Sequence, residues 1–170
     1  MKSEYRFRHL GAADVARAFP LVQAVYGGLS VEDWMRFGEL QVGGRGGRAN
    51  KTGIVAVESS NGYLHGLFTY TIVADGLSGR TLTCDHFVVL DLLPVDRPFA
   101  VLIEAAQGLG RDEGCDQVQL CIPSRWTSSE AVRSPVARLL NEAGFDCKAL
   151  RFQQVNPGDN AAIPTQETLR

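Results

Sequence analysis

With 170 residues, 45% of them hydrophobic and 21% charged, the chain has the length and composition of one compact α/β domain. Its formal net charge is −2, whereas proteins that bind nucleic acid or an anionic membrane usually carry an excess of basic residues. We therefore predict neither partner. The sequence contains no apolar run of about 18 residues and no signal-peptide core, which predicts a cytoplasmic protein.

The first elements in chain order are predicted to be a strand and two helices. Tyr5, Phe7 and Leu10 indicate a short strand, and apolar residues at helical spacing follow it. Pro20 lies inside that first helix and predicts a kink or a break.

The second helix begins with a capping signal. Ser30 and Asp33 resemble a capping box, and the helix is predicted to carry Trp34, Phe37 and Leu40 inward. It should end near Gly43.

Three antiparallel strands are predicted next. Asn61-Gly62 is a strong hairpin signal between the first two of them. The predicted strands are Gly53–Glu58, Tyr63–Ala74 and Thr81–Leu90.

A helix and a strand continue the chain as a crossover. Asp96 and Pro98 open the helix, and the strand Val118–Ile122 follows it. Gly108 and Gly110 lie inside the helix, each at a cost of about 1 kcal/mol relative to alanine. Either close packing on the sheet compensates these glycines, or the helix ends early.

The last predicted helix is well marked at both ends. Ser134 and Pro135 supply an N-cap and a first-turn proline, and Gly144 suits the C-terminal end before an extended run from Phe145. We predict one domain over residues 1–155 and a loose tail over 156–170, because the tail has two prolines and few large apolar residues.

This order of elements resembles the GNAT N-acetyltransferase superfamily over roughly residues 4–154. Asp85–Leu90 is similar to the fourth strand of that family, Arg111–Cys115 to the end of its central helix, and Ala143–Phe145 to the Gly-Phe after its last helix. The resemblance implies an α/β (α+β) fold with flanking helices. Its mixed sheet would be mostly antiparallel, with parallel fourth and fifth strands that splay apart.

The gap between these strands is where the family takes acetyl-CoA as cosubstrate. Unpaired strand edges offer fixed N–H and C=O groups, which can bind the amide-rich pantetheine arm and polarise a thioester carbonyl. The resemblance therefore assigns the arm to the backbone of Val88, Val89 and Leu90. The acceptor would be an amine of a small molecule or a peptide, and a homodimer is compatible with the family.

The chain departs from the family at the loop that binds pyrophosphate. The family pattern R/Q-x-x-G-x-G/A lets backbone N–H groups close around the pyrophosphate at a helix N-terminus. No position of Pro94–Phe99 matches it, and a shift of three residues recovers Arg97 but leaves alanine and leucine at the glycine positions. Arg97, Pro98 and Phe99 are the predicted contacts at this helix start, although Pro98 lacks an N–H donor.

Asp85 and His86 are the predicted catalytic residues. Asp85 lies where the family often holds a carboxylate that removes the amine proton, and histidine titrates nearest to neutral pH. Strand alternation would send the two side chains to opposite faces, so at most one should line the cleft. The alternative is that both are merely hydrogen-bonded or solvated strand residues. Cys84 would share the face of His86, and a buried structural thiol is the favoured interpretation for it.

Leu140 stands where the family often has the tyrosine that protonates the departing thiolate, so the usual acid is missing. The four cysteines of the chain have neither paired nor dense spacing, which favours reduced thiols over a disulfide framework or a zinc site.

The glycine-rich segment Gly43–Thr52 ends in Lys-Thr but lacks the Walker glycines, which favours a flexible basic linker. In the family this loop would border the acceptor site, where Arg45, Arg48 or Lys51 could attract an acidic acceptor. Trp126, with Arg125 before it, stays open between a packed aromatic residue and a residue of the cleft rim.

Three functions follow as hypotheses. The first is acyl-CoA-dependent N-acyl transfer, most simply acetylation, to an unidentified amine. The second is a noncatalytic GNAT-like module that binds a ligand or a protein through the same cleft. The altered pyrophosphate loop is the feature that indicates it. The third is a fold retained as a dimerising scaffold.

Overall fold

A computed structural model describes residues 5–44, 50–77, 79–90, 96–123, 126 and 135–147. The elements in chain order are β1 (Tyr5–His9), α1 (Ala12–Val25), α2 (Val31–Gly43), β2 (Asn50–Ser59), β3 (Leu64–Asp75), β4 (Gly79–Val89), α3 (Asp96–Asp112), β5 (Gln117–Leu120) and α4 (Pro135–Glu142). Several predictions fall outside the described residues: the roles of Arg45, Arg48, Ser134 and Arg125, the final extended run beyond residue 147, and the tail 156–170.

The five described strands form one sheet in the order β1-β2-β3-β4-β5. Neighbouring strands are antiparallel from β1 to β4, and β5 lies parallel to β4. The helices pack on both faces of this sheet. The mixed, mostly antiparallel sheet with parallel fourth and fifth strands is the predicted fold.

Each face of the sheet has its own core. On the face that we call the α1/α2 face, Leu67 and Val88 pack with the two N-terminal helices. On the opposite α3 face, Phe68, Phe87 and Leu82 pack with α3 and α4. Alternate residues along the strands supply the two cores, as a sheet covered on both sides requires.

The structure bears on two predictions about the N-terminal helices. Pro20 does not split α1, which runs from Ala12 to Val25 as one helix whose apolar face is buried, and the alternative of a kink at Pro20 stays a prediction. The predicted inward position of Leu40 is wrong, because this side chain is 70% exposed. The contact stripe of α2 is formed by Trp34 and Gly38, one helical turn apart, and a residue six positions after Trp34 lies well off that stripe.

The two glycines inside α3 have different environments. The helix continues to Asp112, so it does not end early. A Cβ atom added at Gly110 would lie 2.5 Å from Cγ2 of Val118 on β5, whereas one added at Gly108 would have Nη2 of Arg111 as its nearest neighbour, at 4.0 Å. Close packing on the sheet therefore explains Gly110 but not Gly108.

We predict that the two glycines respond oppositely to alanine. Gly108→Ala should raise the free energy of unfolding by up to about 1 kcal/mol, because alanine favours the helix and meets open space. Gly110→Ala should give no gain or a loss, since Val118 must move. Urea unfolding of the two variants beside the parent measures both effects, and an equal gain from both would contradict the packing argument.

Candidate active site

The parallel pairing of β4 and β5 ends halfway along β4. The register pairs run from Thr81 with Gln117 to Cys84 with Leu120, and the backbone N–H of Cys121 then donates to the Cys84 carbonyl at 2.8 Å. Beyond this point the described residues of β5 make no further ladder pairs, although β4 continues to Val89. β5 is also shorter than predicted and ends before Ile122. The two strands therefore part at the C-terminal half of β4, as the predicted splay requires.

β4 carries a bulge at this point. β4 advances by three residues from Asp85 to Val88. β3 advances by only two residues between the register partners of these positions, Thr69 and Leu67. His86 lies in the bulge with φ of 50°, in the left-handed region that residues other than glycine rarely adopt. Oδ1 of Asp85 accepts a hydrogen bond of 2.7 Å from the backbone N–H of His86. This hydrogen bond stabilises the bulge. A bulge of this kind re-aims the side chains that follow it.

The bulge overturns the predicted arrangement of side chains. Cys84 is completely buried in the core of the α3 face. Asp85 is the register partner of Thr69, and the ring of His86 is hydrogen-bonded to Thr69, which places both on the α1/α2 face. The predictions that Asp85 and His86 point to opposite faces, and that Cys84 shares a face with His86, are wrong because the extra residue resets the alternation.

His86 borders a small apolar pocket between the sheet and the first two helices. Its Nδ1 lies 2.9 Å from Oγ1 of Thr69, and its ring meets that of Phe37 edge-on at 5.4 Å between centroids. The pocket is small, with a volume of about 10 Å³, which is the space of one water-sized group. Its lining residues are Val22, Tyr26, Leu29, Trp34, Phe37, Leu67, Thr69, His86 and Val88.

Cys84 has the environment of a structural thiol. Burial raises the pKa of the Cys84 thiol far above its usual range, so the sulfur stays protonated at neutral pH. A protonated thiol is a poor nucleophile. The structure therefore supports the interpretation of Cys84 as a core residue.

Of the three residues predicted to hold the pantetheine arm, one presents its backbone to the gap. The N–H of Leu90 donates to the His65 carbonyl on β3 at 3.2 Å, and Val88 is the register partner of Leu67 on the same strand. Because successive residues of an antiparallel strand direct their polar groups to alternate edges, the N–H and C=O of Val89 face the side from which β5 has departed. The side chains of Val88 and Val89 are buried on opposite faces of the sheet.

The first turn of α3 lies beside this gap. Phe99 is fully buried, and its ring contacts Phe87 of β4 at 5.8 Å and Trp126 at 5.5 Å between centroids. Pro98 is buried and Arg97 is exposed. Because its side chain is buried, Phe99 could contact a ligand only through its backbone. The side chain of Arg97 is exposed to solvent and could contact a ligand directly. Trp126 is a packed aromatic residue, partly buried against the core of the α3 face.

Two other predicted residues lie away from His86. Lys51 forms an ion pair with Glu113, just past the C-terminal end of α3, and Arg80 also contacts that carboxylate. The Glu113 carboxylate raises the pKa of Lys51, and Lys51 in turn lowers the pKa of Glu113. Leu140 is half-buried against the core of the α3 face.

The structure brings together Asp85, His86 and Thr69. No pattern in the sequence indicated Thr69 as a residue of this site.

The described part of the chain contains no cluster of histidine, cysteine and acidic residues suited to a metal ion. Among these same residues, no helix combines the length and the apolar character needed to cross a bilayer.

No family model matches the chain, and no curated protein matches its sequence. Solved structures do share its fold. Glucosamine-6-phosphate N-acetyltransferase from Arabidopsis thaliana is 18% identical, with a TM-score of 0.62 over 89% of this chain and 97% of that one. An aminoglycoside N-acetyltransferase in complex with CoA is 14% identical, with a TM-score of 0.65 over 92% of this chain and 98% of that one.

A transcriptional regulator from Bacillus halodurans C-125 is 13% identical, with a TM-score of 0.67 over 89% of this chain and 99% of that one. At these identities the likeness concerns the fold. The chain has the fold of N-acetyltransferases of the GNAT type, as its element order predicts, and a fold by itself leaves the activity open.

Proposed function

We propose that this chain is an acyl-CoA-dependent N-acyltransferase that uses acetyl-CoA as cosubstrate and acetylates an amine of a small molecule or peptide. The observation that carries the proposal is the departure of β5 from β4 beside the pocket that His86 lines. It leaves the edge of β4 at Val89 unpaired by β5 and close to a titratable side chain, which is the pairing that acyl transfer needs. The shared fold with a CoA-bound N-acetyltransferase supports the same assignment.

Val89 and the start of α3 supply the binding groups in this proposal. The N–H and C=O of Val89 pair with the amides of the pantetheine arm. Arg97 and the N-terminal end of α3 face the pyrophosphate, because a helix N-terminus favours negative charge. The proline in this turn removes one N–H donor, so more of the phosphate binding falls to the Arg97 guanidinium.

His86 is the proposed general base, with Asp85 as the alternative. His86 lines the pocket, whereas Oδ1 of Asp85 is engaged by the backbone of the bulge. The acceptor nitrogen attacks the thioester carbonyl carbon, the base takes the nitrogen's proton, and the C–S bond breaks to release CoA as a thiolate. Leu140 has no proton to give to that thiolate, so water or another group must supply it.

The role of Arg97 gives a direct binding test. Arg97→Ala should weaken acetyl-CoA binding by about 1.5–3 kcal/mol, the scale of a hydrogen bond to a charged group, or roughly 10- to 150-fold. Arg111→Ala is the matched control, because it removes the same charge from an exposed position at the other end of α3. Calorimetric titration measures both affinities. Equal affinities for the Arg97 variant and the parent would reject the phosphate role.

Leu140 and the proline-bearing turn of α3 favour a noncatalytic binding module as the second candidate. Such a module would use the same gap for a ligand and would have no need of a thiolate acid. Acetyl-CoA binding without CoA release in the presence of any amine of a broad panel would favour it over the enzyme.

A further inference from the structure

The hydroxyl group of Thr69 contacts both the imidazole of His86 and the backbone of Asp85. Its Oγ1 lies 2.9 Å from Nδ1 of His86 and 3.3 Å from the backbone carbonyl oxygen of Asp85. Thr69 is buried, with 4% of its surface exposed, so bulk water does not compete freely for these contacts. A hydroxyl has one proton to donate and lone pairs to accept with.

The carbonyl fixes the direction of both hydrogen bonds. Because a carbonyl oxygen can only accept, the Thr69 hydroxyl must donate its proton to Asp85 if that contact is to be a hydrogen bond. Its oxygen then accepts from His86, which requires a proton on Nδ1. The opposite arrangement, with the hydroxyl donating to Nδ1, satisfies only one of the two contacts.

We propose that Thr69 is a positioning residue, which holds neutral His86 in the tautomer with the proton on Nδ1 and the lone pair on Nε2. Within the described residues, Nε2 has no hydrogen-bond partner, and the ring makes a T-shaped contact with that of Phe37 beside the apolar pocket. The basic atom offered to the acceptor is therefore Nε2. The role of Thr69 in catalysis rests on the proposed function. The tautomer of His86 can be measured without any enzymatic turnover.

The expected kinetic effect is that of one lost hydrogen bond at the base. Thr69→Val keeps the branched shape and removes the hydroxyl, so kcat should fall by roughly 2- to 12-fold with little change in KM for acetyl-CoA. Thr69→Ser restores the hydroxyl and should restore kcat. Thr71→Val is the matched control, because Thr71 lies two residues further along β3 and pairs with Thr83.

The decisive readout is the protonation pattern of the His86 ring nitrogens. Long-range proton–nitrogen NMR spectra at a pH where the imidazoles are neutral distinguish the two tautomers, and His86→Gln assigns the signal among the three histidines of the chain. We expect Nδ1 to carry the proton in the parent, in Thr69→Ser and in Thr71→Val. Thr69→Val should shift the signal toward a mixture of tautomers.

Each outcome is informative. A proton on Nε2 in the parent, or an unchanged ring spectrum in folded Thr69→Val, would overturn the positioning role. If Thr69→Val does not fold, the parent and Thr69→Ser spectra still decide the tautomer. The predicted tautomer in a protein that binds acetyl-CoA but transfers no acyl group would keep the role of Thr69 and reject the enzymatic function.

Discussion

Replacing His86 with glutamine should slow acetyl transfer by about 10²–10⁴-fold, because the variant loses the group that accepts the amine proton. Glutamine retains a polar side chain of similar reach, and the hydrogen bond that Oδ1 of Asp85 accepts from the backbone N–H of residue 86 does not depend on the imidazole. Acetyl-CoA affinity should stay within a few-fold of the parent. Release of free CoA thiol, followed with a panel of amines, measures the rate, and calorimetry measures the affinity.

His65→Gln is the control for this substitution. His65 lies on β3 and stacks edge-on with Tyr5 at 5.1 Å between ring centroids, and it does not line the pocket. Asp85→Asn tests the alternative base. If both the His86 and the Asp85 variants retained the parental rate, neither residue could be the base and the proposed mechanism would be rejected.

Replacing Phe99 with alanine should lower the free energy of unfolding by about 3–5 kcal/mol, the usual cost of emptying a buried phenylalanine site. Phe99 is completely buried, and its ring connects Phe87 of β4 with Trp126. Its loss leaves a cavity where the start of α3 meets the diverging strands. Urea unfolding, monitored by the tryptophan fluorescence of the chain, measures the change.

Phe7→Ala provides the comparison for Phe99→Ala, because Phe7 is 46% exposed on β1. It should cost clearly less, since partly exposed side chains leave smaller cavities. Equal losses from the two substitutions would show that the Phe99 site collapses without a cavity. The aromatic packing would then not be what fixes the helix start.

The element order was predictable because local signals agree with the fold. The Ser30–Asp33 capping pair begins α2, where the Ser30 hydroxyl accepts from the backbone N–H of Asp33. The Asn61-Gly62 turn joins β2 and β3, with Gly62 at a positive φ. Caps and turns involve residues close in sequence, so the chain carries their signals locally.

The bulge in β4 could not be predicted in the same way. Strict alternation is the default for a strand, and His86 occupies a left-handed conformation that a glycine would normally signal. The hydrogen bond between Thr69 and His86 joins residues 17 positions apart on different strands. Its existence depends on the register of β3 with β4, which only the folded sheet determines. The catalytic assignment of Asp85 and His86 stays a prediction.

Calorimetric titration with acetyl-CoA, propionyl-CoA and free CoA tests the central claim most directly, because it asks whether the gap beside β4 takes an acyl-CoA at all. We predict saturable micromolar binding of acetyl-CoA at one site per chain, weakened in Arg97→Ala and not in Arg111→Ala. Absence of saturable binding for all three compounds, with a folded protein, would contradict the account.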